Sequence, residues 1–329
     1  MLNNQNNSLT SCAISHPNIA FIKYWGNKNE SLRIPENGSI SMNLDSLWTK
    51  TKIEFDSTYT NDQLKINDKN ADKVTMLRVS SFLDYIRNIA NVPFYAKISS
   101  ESNFPIGAGI ASSASAFSAL AVAAVNALNL NLSERELSII ARKGSGSASR
   151  SIPGGFVEWV AGDSDTNSFS YSICPPDHWD LNDIIAIVKS THKEIGSTQG
   201  HPLAKTSPLQ SSRVSDSQNR LSFCKNAILE KDFDKLAYIS ELDSNLLHAV
   251  MMTSTPILFY WEPDSLRLMK EIIKLRKNGI PVFYTLDAGP NVHVITSVDY
   301  IDFISNWLLT SGFTTNILIS KTGGSAQKC

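Results

Sequence analysis

Polar and apolar residues alternate over residues 50–55, the period of a half-buried strand, and residues 95–99 repeat the pattern. Between them Val74, Leu77, Phe82, Tyr85, Ile86 and Ile89 fall near helical spacing, which predicts a helix over residues 74–89. Residues 113–130 are rich in helix formers and follow a glycine-bearing loop, so a second helix is predicted there. Ser133 with Glu136 three positions on is a capping-box signature, and the helix it opens should stop at Gly144. In the second half, 184–189 reads as a buried strand and the polar stretch 194–217 as a mobile loop. Helices are predicted over 217–230, 233–245 and 263–278, and strands over 281–286 and 292–296. Strands interleaved with helices give an α+β chain of two lobes, divided near residue 183 into 1–183 and 184–329. No internal repeat breaks this plan.

Composition narrows the function. The chain has 329 residues, 42% hydrophobic and 19% charged, enough for a sizeable core. Thirty Lys and Arg against 31 Asp and Glu give a formal net charge of -1, so no whole-protein field gathers nucleic acid or anionic membrane. An anionic ligand must be held by a local cluster. Cys12, Cys174, Cys224 and Cys329 lie far apart without metal-type spacing, so neither a zinc site nor a disulfide framework is expected. The opening MLNNQNNSLT lacks the basic and apolar regions of a signal peptide. The most apolar run, 114–130, is short for a membrane span and carries Asn126. A cytoplasmic protein is expected.

Four segments carry candidate chemistry. Residues 105–115, PIGAGIASSAS, place Gly107, Ala108 and Gly109 before a long helix. Small residues let backbone approach an anion, and a helix N-terminus presents unpaired N–H groups. The hydroxyls of Ser112 and Ser113 can bind phosphate oxygens or Mg2+. Nucleotide phosphate binding is therefore preferred here to a merely structural tight loop. Residues 144–151, GSGSASRS, concentrate Ser145, Ser147 and Arg150 on a turn suited to phosphate or carboxylate. A polar helix-to-strand turn explains that segment about equally well. Asp287 in LDAGPN stands at a strand end, where Asp also serves turns for backbone reasons alone. Lys23 and Tyr24 end an apolar strand-like run, a place where most lysines are solvated.

Together the segments NIAFIKYWGN, NFPIGAGIASSAS, GSGSASRSIPGGFVEW and DAGPN closely resemble the diphosphomevalonate decarboxylases and their phosphomevalonate relatives, in family order and spacing. The likeness runs from Ser15 to Gln327. Kinases of the wider GHMP superfamily typically carry an Asp-containing motif where this chain has Arg150. The resemblance implies a two-lobed GHMP kinase fold, with a ribosomal-S5-like N-terminal lobe binding ATP and a ferredoxin-like C-terminal lobe bearing the catalytic Asp. It implies phosphorylation of the 3-hydroxyl of mevalonate 5-diphosphate by ATP with Mg2+. Loss of phosphate and carbon dioxide then gives isopentenyl diphosphate. By motif position, Asp287 orients or deprotonates that hydroxyl, Lys23 stands beside it and Arg150 holds the carboxylate. Tyr24, Ser145, Ser147 and Ser197 lie toward the phosphate end. Gly107, Ala108, Gly109, Ser112 and Ser113 match the ATP-phosphate loop, with Ser113 as the Mg2+ ligand. A homodimer is also implied.

Two positions depart from the family pattern. Where the family reads Lys-Tyr-Trp-Gly-Lys, with the last Lys on the diphosphate, this chain has Asn27, followed by Lys28. A diphosphate needs more cationic neutralisation than a monophosphate, so a phosphomevalonate decarboxylase yielding isopentenyl phosphate is the leading alternative. His201, where the family often carries Met, has no interpretation from sequence. A mevalonate 3-kinase is disfavoured by the presence of both Asp287 and Arg150. A non-catalytic metabolite-binding or RNA-associated module is disfavoured because none of the four motifs has decayed.

Overall fold

The computed structural model describes residues 9–105, 111–189 and 195–329. The first half supplies β1 (Leu9–Ser15), β2 (Asn18–Ile22), β3 (Asn27–Asn29), β4 (Ile34–Pro35), β5 (Ser39–Asn43) and β6 (Thr49–Asp56). It continues with β7 (Gln63–Ile66), β8 (Lys69–Asn70), α1 (Lys73–Ala90), β9 (Tyr95–Ser102), α2 (Ser112–Ala127) and α3 (Glu134–Gly144). A 3-10 turn at Gly146–Ser151 leads to β10 (Phe156–Trp159) and β11 (Ser170–Cys174). The second half supplies β12 (Leu181–Ile187), α4 (Ser197–Gly200), a 3-10 turn at His201–Thr206, α5 (Gln210–Ser215), α6 (Ser217–Glu230) and α7 (Phe233–Met252). Then come α8 (Pro263–Lys277), β13 (Val282–Thr285), β14 (Val292–Ser297), α9 (Ile301–Thr310), β15 (Asn316–Lys321) and β16 (Gln327–Lys328).

Among the described residues the larger sheets run β16-β1-β6-β9-β7-β8, β11-β10-β5-β2 and β13-β14-β12-β15. Their pairings are antiparallel apart from the parallel β7–β9 pair. The fold is α+β. Strand β6 alternates buried and open positions because one face meets the core, as its sequence predicts. Helix α3 opens with the expected box: Ser133 Oγ accepts the Glu136 N–H, and the Glu136 carboxylate accepts the Ser133 N–H. Asp72 caps α1 in a similar way, accepting the Thr75 N–H at 2.9 Å.

Of four apolar cores among the described residues, one packs Trp25 with Ala204, Leu247 and Val250, and three hold these layers together. The first sheet packs on α1, α2 and α3 through residues such as Phe55, Leu83, Phe117 and Leu120. Helices α8 and α9 cover the third sheet through Leu268, Ile272, Ile304 and Leu308. The remaining core joins the halves, with Phe21, Ile40 and Met42 meeting Ile185, Leu221, Ile239 and Phe283. Strands β2 and β5 are consequently buried at every position. The last strand, β16, returns to the first sheet beside β1.

Some expectations are corrected. The described part of 194–217 forms α4, a 3-10 turn and α5, with His201, Gln210 and Arg213 buried. Apart from Ala204 its buried side chains are polar, so no apolar period announces them. Strand β12 starts at Leu181, and α7 runs on to Met252. The apolar run 114–130 is the buried α2, and among the described residues no helix is long and apolar enough to cross a membrane.

Candidate active site

The apolar strand β2 ends at Ile22 and delivers Lys23 into the interior, where its side chain is 1% exposed. Strand β13 ends at Thr285, and the following turn brings Asp287 to meet it. Lys23 Nζ donates to Asp287 Oδ1 at 2.7 Å. Helix α7 fixes this turn from one face: Ser244 Oγ accepts the Leu286 N–H at 2.9 Å, and His248 Nε2 donates to the Asp287 carbonyl at 3.1 Å. Residues four apart on a helix share a face, which lets one helix make both bonds.

Burial pulls the Lys23 ammonium below its ordinary range, opposed mainly by the Asp287 charge. Burial also pushes Asp287 up, but the neighbouring Lys23 charge helps to outweigh it, and the carboxyl ends below its ordinary range. Asp287 is therefore ionised at neutral pH. His248 is lowered to about 3, first by burial and then by Lys23, so it stays neutral. Nearby, His293 Nδ1 lies 2.6 Å from Asp183 Oδ2 in a buried pair.

Arg150, in the 3-10 turn after α3, is 3% exposed. Its guanidinium donates to Ser39 Oγ at 2.5 Å, to Ser41 Oγ at 3.0 Å, and to Asn18 Oδ1 at 3.1 and 3.2 Å. All three acceptors are neutral. Among the described residues no carboxylate lies within ion-pair distance of Arg150, although its field reaches both Lys23 and Asp287. Burial lowers Arg150 to about 10, so it remains a cation at neutral pH. A buried cation held only by neutral groups is suited to an anionic ligand.

A second group of hydroxyls lies between α2 and that turn. Ser113 Oγ is 3.1 Å from Ser145 Oγ, which is 3.4 Å from Ser147 Oγ. Helix α2 begins without a side-chain cap, with Ala111 in the left-handed region at φ 44°. Its N-terminal dipole therefore favours an anion beside these hydroxyls. Gly107, Ala108 and Gly109 lie outside the described residues.

Tyr24 bounds the same region. A Cβ at Gly146 would stand 2.6 Å from its ring, so only glycine allows the turn this close. Its hydroxyl donates to Asn27 Oδ1 at 2.6 Å, and Asn27 Nδ2 donates to Glu30 Oε2 at 2.8 Å. Asn27 therefore ties Tyr24 to a carboxylate. His201 stacks on Tyr24 with centroids 4.1 Å apart, and its Nδ1 accepts the Gly26 N–H at 3.1 Å. Ser197 opens α4, whose last residue, Gly200, packs against Trp25. Lys28 is exposed.

The structure thus brings Lys23, Asp287 and Arg150 into one electrostatic unit and gathers Ser113, Ser145 and Ser147 into another. Sequence reasoning missed Asn18, Ser39, Ser41, Ser244 and His248. The available signal was a polar residue recurring in a strand otherwise fit for burial, as in Ser39-Ile40-Ser41-Met42.

Residues 15–170 match the diphosphomevalonate decarboxylase-like N-terminal domain, and residues 183–322 match the mevalonate 5-diphosphate decarboxylase C-terminal domain. A diphosphomevalonate decarboxylase of Candida albicans is 38% identical over 300 residues, covering 85% of this chain and 83% of that protein. A phosphomevalonate decarboxylase of Haloferax volcanii is 29% identical over 94% of this chain and 95% of its own. Among solved structures, MDDEF in complex with MVAPP, AMPPCP and magnesium aligns with a TM-score of 0.92 at 35% identity. That alignment covers 98% of this chain and 99% of the other.

Proposed function

The chain belongs to the diphosphomevalonate decarboxylase family, and from that premise we propose that it is an ATP-dependent decarboxylase of mevalonate 5-diphosphate on a two-lobed GHMP kinase fold. The product is isopentenyl diphosphate. The observation that carries this reading is Arg150, a buried cation with neutral acceptors beside the Lys23–Asp287 pair. The reaction needs both parts: a cation for the substrate carboxylate and an ionised carboxylate for the tertiary hydroxyl.

The donor set fits nucleotide and metal. An uncapped helix N-terminus and three neighbouring hydroxyls suit phosphate oxygens. Among the described residues no cluster of three His, Cys, Asp or Glu could form a protein cage for a metal. Mg2+ commonly takes few protein ligands and several phosphate oxygens, so the Ser113 hydroxyl is a suitable donor. ATP with Mg2+ would supply the phosphoryl group that turns a tertiary hydroxyl into a leaving group.

The residues divide the remaining work. Asp287 accepts a hydrogen bond from the 3-hydroxyl, aims its oxygen and takes its proton as the phosphoryl transfers. Lys23 fixes the Asp287 oxygen and keeps the carboxylate ionised. Arg150 grips the substrate carboxylate while the leaving phosphate departs, releasing it only as uncharged carbon dioxide. Ser145, Ser147, Tyr24 and Ser197 serve the phosphate end. Ser112 and Ser113, with Gly107, Ala108 and Gly109, serve the nucleotide phosphates.

A specific observation favours a second reading, a phosphomevalonate decarboxylase: Asn27 brings no charge to Tyr24 and is bonded to Glu30. Purified protein given ATP and Mg2+ with each phosphate ester, followed by ADP and carbon dioxide release, tests both. ADP without carbon dioxide would leave only a kinase. We also propose a lobe division near residue 183, a homodimer and a cytoplasmic location. Exposed Phe223 and Tyr238, in edge contact at 6.1 Å, support a protein contact face.

A further inference from the structure

Beyond Ile22, the last residue of β2, the peptide groups of Lys23 bond to side chains. The Lys23 N–H donates to Asp243 Oδ2 at 2.6 Å. The Lys23 carbonyl accepts from Arg213 Nη2 at 2.7 Å and from Asn37 Nδ2 at 2.9 Å. These groups hold one another as well. Arg220 Nε donates to Asp243 Oδ1 at 2.7 Å, Arg220 Nη2 to the Arg213 carbonyl at 2.6 Å, and Arg213 Nη1 to Asn37 Oδ1 at 3.1 Å. Asp243, Arg213, Arg220 and Asn37 are each no more than 3% exposed.

Such a cluster is weak evidence for stability, because well-packed apolar residues often do as well as buried ion pairs. Its geometry has a narrower target. Three of its members grip the two peptide groups that flank the Cα from which the Lys23 side chain springs. Helix α7 supplies Asp243, and its Ser244 and His248 hold the turn of Asp287. One helix therefore sets both ends of the Lys23–Asp287 contact.

We propose that Asp243, braced by Arg220, Arg213 and Asn37, is a positioning residue that aims the Lys23 ammonium at Asp287 for the phosphoryl-transfer step; this rests on the reaction proposed above. Misplacement of a reacting group by about 1 Å can cost ~10²-fold in rate. Asp243 also adds a negative charge that favours the charged form of Lys23. The other groups facing Lys23 are Asp287 from the turn after β13, Asp183 from β12, Arg150 from the 3-10 turn and His248 from α7.

The test is a double-mutant cycle on the full chain, assayed with ATP, Mg2+ and the better phosphate ester. Asp243→Asn keeps an acceptor for the Lys23 N–H and removes the charge. It should lower kcat about 10- to 100-fold with KM for ATP within about twofold, and move the alkaline limb of the kcat profile to lower pH. In a Lys23→Ala background the same change should cost nothing more, because its effect runs through Lys23. Asn37→Ala leaves the charges in place and should show the same non-additivity, which keeps the proposal testable if Asp243→Asn does not fold. Equal losses with and without Lys23, or near-native kcat in folded variants, would overturn it. So would failure of both variants to fold, since the cluster would then serve the fold. An inactive wild-type protein would instead sink the reaction itself, and the positioning role with it.

Discussion

Lys23 and Asp287 stand 264 positions apart in the chain, and their side chains meet at 2.7 Å. The pairing settles the charge state of the site. A carboxylate beside a buried ammonium stays ionised, and an ionised carboxylate can take a hydroxyl proton as soon as phosphoryl transfer acidifies it.

Asp287→Asn should therefore lower kcat by roughly 10²–10⁴-fold, the usual scale of a general-base or orienting group. KM for ATP should change little, because the hydroxyls proposed for the nucleotide, those of Ser112 and Ser113, lie on another element. Steady-state kinetics with nucleotide titration checks this. A near-native rate would remove Asp287 from the reaction.

Arg150→Lys should raise KM for the phosphorylated substrate and lower kcat together. An ammonium cannot span Asn18, Ser39 and Ser41 and also grip a carboxylate with two prongs. A charged hydrogen bond contributes about 1.5–3 kcal/mol, so kcat/KM should fall at least about tenfold. Unaltered kinetics in a folded variant would move the carboxylate site elsewhere.

Asn27→Lys should raise the diphosphate's kcat/KM relative to the monophosphate's by about tenfold. Replacing a neutral hydrogen bond with a charged one is worth about 1–1.5 kcal/mol. The new ammonium would also offset Glu30, the present partner of Asn27. An unchanged ratio would mean that another cation already serves the phosphate end.

His248 should make the protein's stability acid-sensitive. Its folded value of about 3 lies below the ordinary 6.5, so from pH 6.5 downward the unfolded chain gains a proton that the folded chain refuses. Stability contributed above pH 6.5 is thus lost as pH falls toward 3. Between pH 7 and pH 5 this costs about 2 kcal/mol. His248→Gln can keep a donor for the Asp287 carbonyl without titrating. Its urea midpoint should vary less with pH over that range than the wild type's, and equal slopes would refute the assignment.

The helices were easiest to read from sequence because their signals are local. The Ser133–Glu136 box and the apolar stripe of α1 are each written within one segment. Strand β5 alternates polar and apolar residues, Ser39-Ile40-Ser41-Met42-Asn43, which reads as half-exposed, yet every position is buried, so the pattern hides that its serines face the interior. The 194–217 stretch reads as open loop because its described part buries Gln210 and Arg213 through hydrogen bonds and little apolar area beyond Ala204. The candidate residues Lys23, Arg150 and Asp287 stand in motifs that the sequence displays. The groups that hold them, Ser39, Ser41 and His248, become visible only when distant segments meet.

The core joining the two halves has a consequence for biosynthesis. When a ribosome has delivered the first 183 residues, Lys23 and Arg150 are made, but the layer that covers Phe21, Ile40 and Met42 is not. Ile185, Leu221, Ile239 and Phe283 arrive later, and β16 closes on β1 last of all. A nascent first half therefore carries an uncovered apolar sheet face and an open strand edge, both of which invite association with other chains. Slowing translation before Phe283 has emerged should therefore lower the yield of folded protein.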